Sequence, residues 1–269
     1  MELSYIRENW RQRPDADAAA SIRAWDSVAD DYLYDGDVSF EKDSFLQFVA
    51  EKAELTKDMS VLDVGCGAGA YSAALAERVG HVDGVDFSPR MVENAGRYAS
   101  ENSIQNVRFL ERDWHRCDGG EFAGKYDLVF AHTTPAVADY ETFIKMVGAS
   151  RRYGFFCKPA RRTDKVFDGL RQTLGLPSRN GDDSTAYIFD ILWHLGMEPE
   201  VRYEKAVWKS CKPLEEAAQW QIGRLKGIYH VTAAEEAAVR EYLRSIAADG
   251  MVRDETHTTL VNFFWEAGR

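Results

Sequence analysis

Val61-Leu62-Asp63-Val64-Gly65-Cys66-Gly67-Ala68-Gly69 is the stretch on which the reading of this chain turns. Apolar residues around one acid lead into glycines at alternate positions, and Asp86 closes a second apolar run, HVDGVD, twenty-one residues after Gly65. The layout describes a strand, a turn free of side chains, a helix and a second strand ending in a carboxylate. Such a unit lays a nucleoside cofactor against bare backbone.

Outward from this stretch, strand and helix signals alternate. Strands are predicted at 60–64, 81–86, 107–113, 126–131 and 151–157, with helices over 69–79 and 89–101. Ser88 is a natural N-cap and Pro89 a natural first helical residue. This alternation implies a parallel sheet covered on both faces. Before it, apolar spacing predicts helices over 20–35 and 41–54. After it come a helix over 185–195 ended by Gly196, a strand near 199–208, and helices over 213–229 and 233–248. Thr232 and Glu235 form a capping box for the last helix. A final strand is predicted over 256–267, antiparallel to its neighbours because no crossover helix precedes it.

The 269 residues suit one large domain with a modest appendage, and 45% of them are apolar, ample for a core. A formal net charge of −11 disfavours a polyanionic partner. Four scattered cysteines without a CxxC pair read as reduced thiols in a cytoplasmic protein. The N-terminal stretch lacks the apolar core of a signal peptide, and no run reaches the roughly 18–20 apolar residues of a membrane span. No His, Asp or Glu spacing has metal-site quality, so no metal is expected.

Gly65, Gly67 and Ala70 also fit the looser G-x-G-x-x-A pattern of nicotinamide and flavin enzymes. Asp63 weighs against that reading, because a carboxylate two residues before the turn would repel a pyrophosphate and attract a sulfonium or ammonium. Gly69 widens the turn, and Asp113-Trp114 places an acceptor beside a flat aromatic, suited to adenine.

On these residues the chain resembles the class I S-adenosylmethionine-dependent methyltransferases. VLDVGCGAG is similar to their first motif, Asp86 to their ribose site, Asp113-Trp114 to their adenine motif and YDLVFAHTTPAV to their fourth-strand motif. The resemblance covers roughly residues 25–210 and the closing strand. It implies an α/β, doubly wound, mostly parallel seven-stranded sheet, the Rossmann-like methyltransferase fold. N-terminal helices (1–55) would form a lid, 56–212 with 251–269 the cofactor domain, and 213–250 a helical cap inserted before the last strand.

The resemblance further implies S-adenosylmethionine as cofactor and S-adenosylhomocysteine as product. Gly65, Cys66, Gly67 and Gly69 would line its methionine part, with Cys66 a small filler, not a nucleophile. Asp63 would orient the ammonium, and Asp86 would accept both ribose hydroxyls. Phe87 and Met91 would pack on adenine, Asp113 would bond its amino group, and Trp114 would lie alongside unless it belongs to the core. His132 and Thr133 would face the sulfonium and the acceptor. His132 and Tyr34 are the candidate general bases, whereas His115, His194 and His257 read as ordinary structural histidines.

HTTP at 132–135 lacks the D/N-P-P-Y/F signature of the family's amino methyltransferases. With the acidic balance, this favours a small-molecule acceptor over nucleic acid. Lys158, Arg161, Arg162 and Lys165 form either a solvated basic loop or a site for an anionic group on that acceptor. A protein or peptide methyltransferase, a non-catalytic cofactor-binding module and, last, a nicotinamide-dependent oxidoreductase are the alternatives.

Overall fold

The computed structural model describes residues 2–11, 17–33, 38–176 and 183–267. Seven strands make one sheet: β1 (Ser60–Val64), β2 (His81–Asp86), β3 (Val107–Glu111), β4 (Tyr126–His132), β5 (Ser150–Asp164), β6 (Glu200–Pro213) and β7 (Met251–Glu266). Their order is β3-β2-β1-β4-β5-β7-β6. The pairs among β1 to β5 are parallel, and β7 runs antiparallel to both β5 and β6. Chain order reverses between β1 and β4, and a crevice forms there at the carboxyl ends of the strands.

Ten helices among the described residues cover the sheet: α1 (Leu3–Asn9), α2 (Ala18–Ser27), α3 (Ser44–Lys52), α4 (Ala70–Ala76), α5 (Pro89–Glu101), α6 (Tyr140–Ala149), α7 (Lys165–Thr173), α8 (Asp183–His194), α9 (Leu214–Lys226) and α10 (Ala233–Ile246). Alternate strand residues feed two cores. Leu62, Val64, Val129 and Phe156 pack with Ile6 of α1, Phe143 of α6 and Ile188 of α8. Val61, Phe130, Phe155 and Cys157 pack with Phe45 and Val49 of α3 and Leu75 of α4. This double-sided burial explains the near-continuous apolar runs of β1 and β4.

The strands of the parallel half are 5–7 residues long, whereas β5, β6 and β7 have 15, 14 and 16. The three long strands continue past the crevice as an antiparallel ribbon. Its β5 edge is offset between Ala160 and Thr163, where Arg161 adopts a left-handed φ of 48°. On the ribbon, Val166, Phe167 and Leu170 of α7 join Ala218, Ile222 and Leu225 of α9, Val239 and Leu243 of α10 and Val252 of β7 in a third apolar cluster.

The N-terminal segment departs from the single helix expected over 20–35. α2 ends at Ser27 because Val28 leaves helical geometry (φ −116°, ψ 6°), and a 3-10 turn follows over Ala29–Tyr32. α3 begins at Ser44, not 41, because the Asp43 side chain caps it by accepting from Leu46 N at 2.9 Å. The helix expected over 69–79 is confined to 70–76. By contrast, β1, β2 and α5 have the expected bounds, and the Thr232–Glu235 capping box is formed in both directions.

Candidate cofactor and acceptor site

The turn after β1 is left-handed at Gly65, Gly67 and Gly69, with φ of 75°, 53° and 83°. Side chains tolerate such φ poorly. The three glycines serve different purposes. A Cβ on Gly65 would overlap Thr134 Oγ1, and one on Gly69 would lie 2.8 Å from Phe109 Cζ and 2.9 Å from Ala95 Cβ. These two glycines let the protein's own side chains close around the turn. Gly67 faces open space, with Met91 Sδ 3.9 Å from the Cβ position. Bare backbone is presented there. Cys66 fills the space over Gly84, as expected of a small filler.

Two buried acids flank the turn. Asp63 is 2% exposed and accepts from Ser72 Oγ at 2.7 Å. Burial pushes its carboxyl up to about 7 against that hydrogen bond, with the nearby Asp86 charge adding to the rise. Asp86 ends β2 and accepts from Gly67 N and Ser88 N, each at 2.9 Å. Burial raises it too, although those backbone donors stabilise its charged form. Each Asp86 oxygen retains a further lone pair, so a diol could be accepted without releasing the turn.

Asp86, Ser88 and Met91 are tied to the N-terminal segment. Ser88 Oγ donates to Asp26 Oδ1 at 2.5 Å, Arg90 forms an ion pair with Asp30, and Asn94 Nδ2 donates to Ala29 O at 3.2 Å. Ala29, Ala68 and Met91 form a small buried cluster bordered by Trp25. Trp25 in turn meets Trp220 of α9 edge-on at 5.3 Å. Gly223 of α9 allows α2 to approach so closely that a Cβ there would lie 2.5 Å from Ala24 Cβ. The N-terminal segment and the α9–α10 pair thus meet each other over the crevice. Trp25 packs between the helices and so joins both layers.

At the end of β4, His132 lies against Tyr71 and Phe45, with ring centroids 4.2 and 4.7 Å away. Its Nε2 is 3.3 Å from Tyr71 Oη and its Nδ1 is 3.3 Å from Thr133 Oγ1. Burial depresses the imidazole to about 3, so it is neutral at ordinary pH. A base this weak is a poor proton acceptor by itself, which qualifies the role expected of His132. Thr133 holds a φ of 49°, strained for a β-branched residue and fixed partly by its N–H donating to Cys157 O at 2.8 Å. Tyr34, the other candidate base, lies outside the described residues.

The adenine-side expectations divide. Met91 is buried beside the turn and Phe87 is half-buried. Asp113 is half-buried and accepts from His115 N at 3.0 Å. Trp114, expected alongside adenine, belongs to the core instead. It is 2% exposed, stacks obliquely on Phe122 at 5.2 Å and donates from Nε1 to Thr142 O at 3.1 Å. The basic loop does not form one patch either. Lys158 Nζ reaches Thr185 Oγ1 of α8 at 3.2 Å, whereas Arg162 pairs with Asp164 at 3.0 Å and lies over Trp208.

Sequence reasoning missed Asp26, Asp43, Thr134 and the polar role of Tyr71. Asp43 carried a signal, as an acid just before an apolar helix. Tyr71 falls in the helix expected over 69–79, where nothing in the sequence marks a polar role for it. A cleft of about 580 Å³ lined by His81, Asp83, Arg108 and Tyr126 opens at the far end of the sheet, remote from the glycine turn.

The sheet order with an antiparallel β7, the three-glycine turn and the two acids define a Rossmann-like methyltransferase fold and its cofactor crevice. Residues 55–166, under half of the chain, match the family described as "Methyltransferase domain", which supports the class I S-adenosylmethionine-dependent methyltransferase family. A stretch of 111 residues is 40% identical to the 23S rRNA (uracil(1939)-C(5))-methyltransferase RlmD of Vibrio parahaemolyticus, covering 38% of this chain and 24% of that protein. The chain therefore spans about a quarter of that relative's length. The solved structure of YcgJ from Bacillus subtilis is 16% identical, with a TM-score of 0.50 over 81% of this chain and 96% of that one. The [4+2]-cyclase SpnF is 18% identical, with a TM-score of 0.51 over 93% and 98%. These two likenesses concern the fold alone.

Proposed function

We propose that the protein transfers the methyl group of S-adenosylmethionine to a small molecule held between the N-terminal segment and the α9–α10 pair. The observation carrying this reading is the joint placement of Asp63, the open Gly67 and Asp86 beneath two helical layers that meet at Gly223 and Ala24. Asp63 would face the cofactor's ammonium, Gly67 its methionine backbone and Asp86 its ribose, with Met91 and Phe87 along the adenine. Bound there, the cofactor supplies an activated methyl on a sulfonium, an excellent leaving group. The protein's part is to align the acceptor with that methyl and to exclude water.

The layers over the crevice favour an enclosed acceptor over a polymer. The chain's net charge of −11 adds to the case against nucleic acid. The further expectation of an anionic acceptor loses support from the divergence of Lys158 and Arg162.

Calorimetry with S-adenosylhomocysteine and with NADH tests the cofactor. Binding of the first alone is expected, and binding of NADH alone would overturn the reading. Labelled S-adenosylmethionine is then incubated with a metabolite extract, a protein fraction and an RNA fraction. Label entering the metabolites is expected. Label confined to protein or RNA would replace the small-molecule acceptor, and cofactor binding with no label anywhere would point to a non-catalytic module.

A further inference from the structure

Three hydrogen bonds at the end of β4 connect in series. Thr133 Oγ1 is 3.3 Å from His132 Nδ1, His132 Nε2 is 3.3 Å from Tyr71 Oη, and Tyr71 Oη is 3.0 Å from Asp43 Oδ2. Their directions follow from valence. The Asp43 carboxylate only accepts, so Tyr71 donates to it. Tyr71 oxygen must then accept from His132, which puts the imidazole proton on Nε2 and leaves Nδ1 as an acceptor for the Thr133 hydroxyl. All three bonds point the same way, from the carboxyl end of β4 toward the head of α3.

We infer that Thr133, His132, Tyr71 and Asp43 form a proton conduit, and that the methyl acceptor is therefore a protic group such as a hydroxyl, thiol or N–H. This rests on the methyl-transfer reading above. The acceptor's proton passes to Thr133 Oγ1, the Thr133 proton to His132 Nδ1, the His132 Nε2 proton to Tyr71 oxygen and the Tyr71 proton to Asp43 Oδ2. The acceptor's freed pair forms the bond to the methyl carbon, and the sulfur keeps the pair of the bond that breaks. Of the four residues only Asp43 ends with a changed charge, and the proton it gains balances the charge that the sulfonium loses. Asp43 is half-buried, and returns the proton to water.

The environment suits a concerted shift better than a single base. Burial depresses the His132 imidazole and raises the Tyr71 phenol, so neither residue carries a charge readily. Moving every proton one place leaves both neutral. Phe45 from α3 and Tyr71 from α4 clamp the imidazole ring. Among the described residues, the other titratable groups near the conduit are Cys157 on β5, kept a thiol by burial, and Glu204 on β6, which accepts from Ser44. Asp43 is the acid in direct contact with Tyr71. Tyr71 and Asp43 are positioning residues in this scheme.

Long-range 15N correlation spectra of the histidine rings in the full chain read the wiring directly. The wild type is expected as the neutral Nε2–H tautomer of His132. Asp43→Ala frees Tyr71 to donate to Nε2 and should flip the ring to the Nδ1–H tautomer. Asp43→Asn keeps both the N-cap and an acceptor oxygen, and should hold the wild-type tautomer. A wild-type Nδ1–H ring, an imidazolium at pH 7, or no flip in Asp43→Ala would each overturn the conduit. S-adenosylhomocysteine binding is expected to be unchanged in both variants, so a failure of cofactor binding in the wild type is read separately. Label transfer from S-adenosylmethionine into the metabolite extract should fall by roughly 10²-fold or more in Asp43→Ala, the usual scale for lost acid–base assistance. An unchanged rate overturns the proposal.

Discussion

Thr134 Oγ1 stands in the space that a side chain at Gly65 would need. The loop after β4 is thereby packed directly onto the turn after β1. Thr134 Oγ1 also accepts from Ala136 N at 3.1 Å, which holds it in place. Gly65→Ala should thus be far more damaging than Gly67→Ala, although both positions have left-handed φ. At Gly67 the expected cost is the conformational penalty alone, about 1–2 kcal/mol, with a folded protein that binds S-adenosylhomocysteine weakly. At Gly65 the overlap adds to the penalty and stability should fall further. Thermal melts and calorimetry on the two variants separate the cases.

In its proposed place opposite the cofactor's ammonium, Asp63 is expected to make cofactor binding depend on pH. Its carboxyl, raised to about 7 in the fold, titrates near 3.9 when unfolded. Between about pH 4 and 7 the folded state keeps a proton that the unfolded state releases, so raising the pH through this window costs stability. Partnership with a cofactor ammonium requires the charged form. Affinity for S-adenosylhomocysteine should therefore rise about tenfold from pH 6 to pH 8, with proton release on binding below pH 7. Calorimetry in buffers of different ionisation enthalpy measures both effects. Asp63→Asn should abolish the pH dependence along with the proton release.

The far end of the sheet carries an opposite dependence. Asp83 is 3% exposed and accepts from Arg108 Nε and Nη2 at 2.8 and 2.7 Å, and from Tyr126 Oη and His81 Nε2 at 2.7 Å. Burial is the largest single influence and would raise its carboxyl, but the hydrogen bonds from Arg108, Tyr126 and His81 together outweigh it, and the net shift is downward. Its contribution to stability is thus present above the unfolded carboxyl pKa and lost as pH falls through the lowered value. Asp83→Asn should cost roughly 1–3 kcal/mol at pH 7 through weakened and unpaired buried groups. The deficit should shrink on acidification, as followed by denaturant melts at pH 7 and pH 3.

Closure of the crevice depends on the approach of α2 to α9. A branched side chain at Gly223 would push against Ala24 Cβ, 2.5 Å from its first carbon. Gly223→Val is expected to cost about 1–3 kcal/mol, the usual overpacking range, and to free the N-terminal segment. Limited proteolysis before residue 30 should accelerate in the variant. A cleavage rate equal to that of the wild type would argue that the two layers do not restrain each other.

The cofactor half of the molecule was legible because its signals are local. Alternate glycines require left-handed turns, Ser88-Pro89 starts a helix, and buried parallel strands are continuous apolar runs. β5, β6 and β7 extend beyond their expected outer ends, where KPARRTD and KSCKP contain no apolar run of their own. There the strands leave the doubly covered sheet for a ribbon with polar residues along it. Trp114 illustrates a different difficulty. An aromatic after an acid at a strand end suits adenine and core equally, and only its contact with Thr142 of α6 decides for the core. The link from Asp43 to Tyr71 joins α3 to α4 across 28 positions of sequence, and no spacing rule connects them.

The ribbon that continues β5, β6 and β7 has an apolar cluster of its own, built with α7, α9 and α10 and distinct from the two cores flanking the parallel strands. The cluster shares no side chain with the packing around β1 and β2, and its link toward α5 runs through the contact of α9 with α2. In the proposed function, the upper storey selects the acceptor and the lower storey holds the methyl donor, so changes to α9 and α10 are expected to alter the acceptor before they alter cofactor binding.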